Sequence, residues 1–125
     1  MVKVKAWVAM VTTHIILDFY KADRATLATS DKLKAAIDSA LVKLGVVLNQ
    51  DNYIQFEPEG VTATVIADGF HFSIHTWPEF HSCAIDLYTN RKASFATELA
   101  QALDKAFMAQ EHDMKVLKRN PVIID

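Results

Sequence analysis

What most constrains the fold of this chain is where its hydrophobic period changes. Apolar residues recur at three- and four-residue steps in two segments only. In "SDKLKAAIDSALVKLG", Leu33, Ala36, Ile37, Ala40, Leu41 and Leu44 form one stripe, with Ser30 the expected N-cap and Gly45 the expected stop. In "SFATELAQALDKAFMAQ", Phe95, Leu99, Leu103, Ala106 and Phe107 form a second stripe after Ser94. The segments "THIILDFY", "NYIQFEP", "GVTATVIA", "FHFSIHTW" and "SCAIDLYT" are instead rich in β-branched and aromatic residues and bounded by turn formers. "MKVLK" is a late strand candidate and "KVKAWVA" an early one. The order β-α-β-β-β-β-α-β predicts an α+β fold: a two-layer α/β sandwich with a mainly antiparallel sheet and two helices on one face. The other face must then meet solvent, a ligand or another chain. Apolar residues on both faces of "HIILDF" and "TATVIA" predict an oligomer.

Three glycines and three prolines leave little room for a linker, so residues 1–125 read as a single domain. The composition, 51% hydrophobic and 22% charged, is that of a globular protein. A formal net charge of -2 gives no electrostatic reason to expect nucleic acid or an anionic membrane as partner. The basic run "KVLKRN" reads as a solvated strand end. Cys83 is the sole cysteine, which excludes a disulfide within the chain and a thiolate-rich metal site. Lys3, Lys5 and His14 interrupt the apolar N-terminal stretch, and no apolar run approaches the ~20 residues needed to cross a bilayer. A soluble, cytoplasmic protein is expected.

The stretch "GFHFSIHTWPEF", residues 69–80, concentrates the chemistry-bearing residues. His71 and His75 point to one face of a strand but stand four residues apart, about 13 Å, too far to share a tetrahedral metal. No metal is expected. Ser73 and His75 are some 6–7 Å apart, long for a nucleophile and its base, and no nucleophile elbow is present. Phe56, Phe70, Phe72, Trp77 and Phe80 are of a type to stack on a purine or face a cation. Glu79 is of a type to accept from a sugar diol, and Asp18, Glu57 or Glu59 to balance positive charge. Residues of these kinds are core or surface more often than pocket, and periodicity leaves that choice open.

"FHFSIHTWPEF" followed by "CAIDLYTN" resembles the central motif of prokaryotic S-adenosylmethionine decarboxylases, the pyruvoyl-dependent type. "THIILDFYKAD" is similar to that family's first strand and turn, "YIQFEPEGVTATVIA" to its hairpin, and "MKVLKRN" to its last strand. The resemblance implies an antiparallel α/β sandwich, commonly dimeric. It also implies self-cleavage at a Glu-Ser bond, which turns the serine into a pyruvoyl group that decarboxylates the substrate for polyamine synthesis. At that bond this chain has Gly69-Phe70, and at the family's catalytic cysteine it has Asn90. Phenylalanine has no hydroxyl to attack the preceding carbonyl, so no pyruvoyl and no other cofactor is expected. Cys83 is no substitute, lying seven strand residues from Asn90, on the opposite face and roughly 23 Å away.

Other positions match. By resemblance, His75 is the proton carrier of self-processing and Thr62 keeps the hydroxyl of that step, while Glu79 holds the ribose, Phe56 stacks on adenine and Phe72 presents an apolar surface to the nucleoside. The expected function is that of a decarboxylase-like protein that neither self-processes nor carries pyruvoyl. It would bind S-adenosylmethionine or a related nucleoside as a regulator or partner in polyamine synthesis, most simply as a homodimer. The alternative is a lyase that cyclises S-adenosylmethionine to homoserine lactone and methylthioadenosine by positioning alone. Phe70 would be its apolar wall, and His75, Glu79 and Tyr53 its polar helpers. Two further readings are a scaffold whose pocket Phe70 fills, and an active decarboxylase processed at Ser73. The latter requires the reactive group to turn to the other face of the strand.

Overall fold

A computed structural model describes residues 10–122. The early strand candidate "KVKAWVA" lies outside the described residues. The elements in chain order are β1 (Met10–Tyr20), α1 (Arg24–Ala28), α2 (Ser30–Lys43), β2 (Leu48–Gln55), β3 (Val61–Ala67), β4 (Phe70–Trp77), β5 (Ser82–Thr89), α3 (Ala93–Phe107) and β6 (Glu111–Val122). A single 3₁₀ turn, Pro78–Phe80, joins β4 to β5. All pairings are antiparallel, and the six strands lie in the order β2-β3-β4-β5-β1-β6. Among the described residues no helix is long and apolar enough to cross a membrane.

The alternation of side chains builds a core on one face of the sheet only. Ile15, Leu17 and Phe19 of β1, Val61 and Val65 of β3, Phe72 and Ile74 of β4, and Ile85 and Leu87 of β5 are all buried. Above them lie the α2 stripe (Leu33, Ile37, Leu41) and the α3 stripe (Leu99, Leu103, Phe107). Phe19 and Phe107 meet edge to face, with centroids 5.9 Å apart.

Several details depart from the sequence expectation, each for a local reason. The N-cap of α2 is Thr29, extended at φ -126°, whose hydroxyl accepts from the Lys32 N–H; Ser30 is already helical. Gly45, at φ +67°, does end that helix. Lys92 precedes α3, with no side-chain cap. β6 runs twelve residues where only "MKVLK" was expected, because it is a charged, exposed edge strand with no alternation to read. "FEP" falls outside β2, whose last residue is Gln55.

The third helix, α1, is too short to show a period. Asp23 caps it by accepting from the Thr26 hydroxyl at 2.7 Å and the Thr26 N–H at 3.1 Å, which holds the Asp23 carboxyl below its usual value. Thr76 ties α1 to the sheet: its hydroxyl donates to the Leu27 carbonyl and accepts from the Val61 N–H, both at 2.9 Å. We therefore expect Thr76→Val, which keeps the shape and orphans both backbone groups, to lower the unfolding free energy by about 2–3 kcal/mol. Urea denaturation checks this; a change under about 0.5 kcal/mol would show that the bridge contributes nothing.

Candidate functional site

The open face of the sheet carries the candidate residues. On β4, Phe70, Phe72, Ile74 and Thr76 turn toward the helices, so His71, Ser73, His75 and Trp77 turn away from them. Across the ladder His75 stands opposite Thr62 of β3 and Ala84 of β5, Ser73 opposite Thr64 and Asp86, and His71 opposite Ile66 and Tyr88.

At one end of this face the Thr62 hydroxyl and His75 Nδ1 are 3.0 Å apart. The two residues that the resemblance assigns to one step are therefore in hydrogen-bond contact. The His75 ring lies 6.3 Å from the Trp77 indole. Phe56, half exposed in the turn after β2, is fixed by its N–H donating to the Gly60 carbonyl at 2.8 Å. Glu79 is exposed on the 3₁₀ turn. Arg24 forms a 2.6 Å ion pair with Glu59; that hydrogen bond, followed by the charges of Glu59 and Glu79, raises its pKa. Arg24 was not singled out by sequence reasoning, because the pair joins residues 35 apart in sequence.

At the opposite end, Asp68 and Gly69 form the two-residue hairpin between β3 and β4, with Gly69 at φ +85°. The Gly69 carbonyl accepts two hydrogen bonds, from the Thr89 hydroxyl at 2.8 Å and the Asn90 N–H at 3.0 Å. Arg91 closes over the hairpin, its Nε donating to the Asp68 carbonyl at 2.8 Å. A Cβ at position 69 would stand 2.9 Å from Arg91 Cγ and 3.0 Å from Asn90 Oδ1, so the glutamate of the resembled motif does not fit beside Arg91 in this arrangement. Phe70 is only 5% exposed. Its ring stacks on Phe72 with centroids 6.5 Å apart and leans on Phe95 of α3 at 5.1 Å, with the Arg91 guanidinium 5.5 Å from its centre. The Phe70 side chain therefore serves chiefly as core.

The two ends do not meet within one chain. Five strand residues separate Phe70 from His75, roughly 16 Å, and the two side chains point to opposite faces. Phe72, expected to face a nucleoside, is buried under the helices. Tyr53, expected as a polar helper, sits opposite Ala63 on the helix-facing side; its hydroxyl is buried without a partner among the described residues, and burial raises its pKa. Cys83 is 2% exposed beneath the helices, its thiol pushed up to about 12 by burial and then by the Asp18 charge. It is neither reactive nor on the face of Asn90. Among the described residues no cluster of three or more His, Cys, Asp or Glu is placed to hold a metal ion.

Comparison with known proteins places this geometry. The family model for S-adenosylmethionine decarboxylase matches residues 13–120. The S-adenosylmethionine decarboxylase proenzyme of Prochlorococcus marinus (strain MIT 9313) is 33% identical over 110 residues, 88% of each chain. That of Thermoplasma volcanium is 38% identical over 77 residues, 61% of this chain and 58% of the relative. The crystal structure of the adenosylmethionine decarboxylase from Aquifex aeolicus VF5 superposes with a TM-score of 0.81 at 26% identity, covering 92% of this chain and 95% of that one. The Trypanosoma brucei AdoMetDC-delta26 monomer shares the fold at a TM-score of 0.58 and 22% identity, over 83% of this chain and 45% of that one. The chain belongs to the S-adenosylmethionine decarboxylase family.

Proposed function

We propose that this family member stays uncut, forms no pyruvoyl group, and acts by binding S-adenosylmethionine or a closely related nucleoside, as a cytoplasmic regulator or partner in polyamine synthesis. The observation that carries this reading is the side chain at position 70. A pyruvoyl group needs a hydroxyl there, first to attack the Gly69 carbonyl and then to be lost as the α-keto group forms. Phe70 offers an aryl ring wedged between Phe72 and Phe95 instead. The residues present therefore do not fit the group. Asn90 supplies no thiol, and Cys83 lies under the helices.

What supports binding is the opposite end of the open face. There Thr62 and His75 remain paired, Phe56 is half exposed and available to stack on adenine, and Glu79 is exposed for a ribose diol. The lyase reading keeps only His75 and Glu79 at this end, since Phe70 and Tyr53 turn toward the helices, and it is separated by its products.

The assembly we infer is a homodimer across the open face. Ile16, Ile54, Ile66, Trp77 and Leu117, one from each of five strands, are 36–52% exposed there, and a second copy would cover them. A two-fold partner also offers a way to bring the Thr62–His75 end of one chain to the Gly69–Phe70 end of the other, which a single chain keeps apart.

Three outcomes follow. The purified chain is expected to give one species of 14.0 kDa by intact mass, and Phe70→Ser to cost about 3–5 kcal/mol in stability while Phe70→Leu costs under about 1.5 kcal/mol. Two fragments with a carbonyl-reactive terminus would overturn the uncut reading, and a neutral Phe70→Ser would overturn the core role of that ring. Calorimetry is expected to detect S-adenosylmethionine, with Glu79→Ala weakening it by about tenfold or more. Failure to bind either that compound or its decarboxylated form sinks the proposal, and release of methylthioadenosine and homoserine lactone would replace binding with lysis. Sedimentation is expected to show a dimer that Ile66→Lys converts to monomer; a monomeric parent chain excludes the assembly.

A further inference from the structure

The middle of the open face holds a cavity of about 280 Å³ that neither the Thr62–His75 end nor the hairpin uses. It is lined by His14, His71, Ser73, Asp86, Tyr88 and Arg119, with Leu87 at its edge. These residues come from four strands that are consecutive in the sheet, β4, β5, β1 and β6. His14 and His71 flank Tyr88 in one cross-strand row, and the His71 and Tyr88 rings are 5.8 Å apart. Asp86 stands opposite Ser73 in the adjacent row on the same face. Arg119 reaches across from β6 to lay its guanidinium 5.0 Å from the centre of the Tyr88 ring.

The charges in this cavity carry the inference. Asp86 and Arg119, both solvent-exposed, line the same open depression, and among the described residues neither forms an ion pair. A simple anion would meet Arg119 but be repelled by Asp86; a simple cation would meet the reverse. A ligand with both signs on neighbouring atoms satisfies both walls, and the two imidazoles and the hydroxyls of Ser73 and Tyr88 add neutral hydrogen bonds. The volume falls just below the ~300–1,000 Å³ typical of pockets for drug-sized ligands, which suits a fragment of a metabolite.

We propose that this cavity binds the α-amino-carboxylate end of an amino acid, the ammonium at Asp86 and the carboxylate at Arg119 where its guanidinium lies over Tyr88. It deepens the proposed function, since S-adenosylmethionine ends in such a group. The Ser73–Asp86 row lies one side-chain step, roughly 7 Å, from the His75 row, so the amino-acid end of a nucleoside held at Thr62–His75 reaches the cavity within one chain. In that arrangement Arg119 and Asp86, rather than the hairpin, set the preference for the carboxylated ligand.

The test pairs deletion of the ligand's carboxylate with deletion of the guanidinium. By calorimetry on the full chain, S-adenosylmethionine is expected to bind about tenfold or more tightly than its decarboxylated form, a preference that Arg119→Met abolishes. Asp86→Asn should weaken both forms, as both carry the amine, and leave methylthioadenosine unaffected. Equal weakening of the carboxylated and decarboxylated forms by Arg119→Met overturns the site, as does no effect, or displacement by sulfate as effective as by an amino acid. If no nucleoside binds at all, the proposed function fails separately, and the cavity is tested with L-methionine against 3-methylthiopropylamine. An Arg119-dependent preference for the acid upholds it, and its absence overturns it.

Discussion

The two-residue period of β4, locked in register by β3 on one side and β5 on the other, decides what every chemical residue of this protein can do. It sends Phe70, Phe72, Ile74 and Thr76 beneath the helices and His71, Ser73, His75 and Trp77 onto the open face. A slip of one residue would exchange the two sets, exposing the aromatic core and burying three polar side chains without partners. The helices enforce the choice: Phe95 of α3 packs on Phe70, and Thr76 is clamped to α1 through Leu27. The same alternation that makes a core therefore separates position 70 from His75, and it obliges any site containing both to draw on more than one chain.

Much of this was legible before the structure. The bounds of β4 and β5 match the expected segments residue for residue, because Asp68-Gly69 begins one and Trp77-Pro78 interrupts before the other. That Cys83 and Asn90 lie on opposite faces followed from an odd spacing, and so does the opposition of Phe70 and His75. What periodicity cannot supply is which strands are neighbours. That Thr62 and His75 serve one step was implied by resemblance alone, and their 3.0 Å separation depends on a cross-strand register that no local pattern encodes.

The misses have the same origin. α1 is held by one cap and one buried threonine rather than by an apolar stripe, so it leaves no periodic trace. β6 is an edge strand whose lysines, arginine and acids shield its free hydrogen-bonding groups, and such a strand reads like a solvated tail. Within "KVLKRN", which reads as a solvated strand end, nothing marks Arg119 as the residue that reaches back over Tyr88. Arg91 leaves no local signal for a similar reason: its contacts with Asp68 and Phe70 join residues more than twenty apart in sequence.

The packing at position 70 shows what a phenylalanine does for this fold that a serine would not. A serine there would put a hydroxyl among the Phe72 and Phe95 rings, on the buried side of the sheet, where a polar group without a partner costs about 1–3 kcal/mol. A phenylalanine in the same place gains about 1.5–3 kcal/mol from burial. Gly69 completes the exchange, because its bare Cα lets Arg91 close over the hairpin where any Cβ would intrude. Glycine, phenylalanine and arginine at 69, 70 and 91 thus form one packed unit, each accommodating the others. On the proposed reading, a chain released from making pyruvoyl has turned the corner where that group would form into ordinary core. The hydrogen bonds from Thr89 and Asn90 to the Gly69 carbonyl then serve only to hold the hairpin in register.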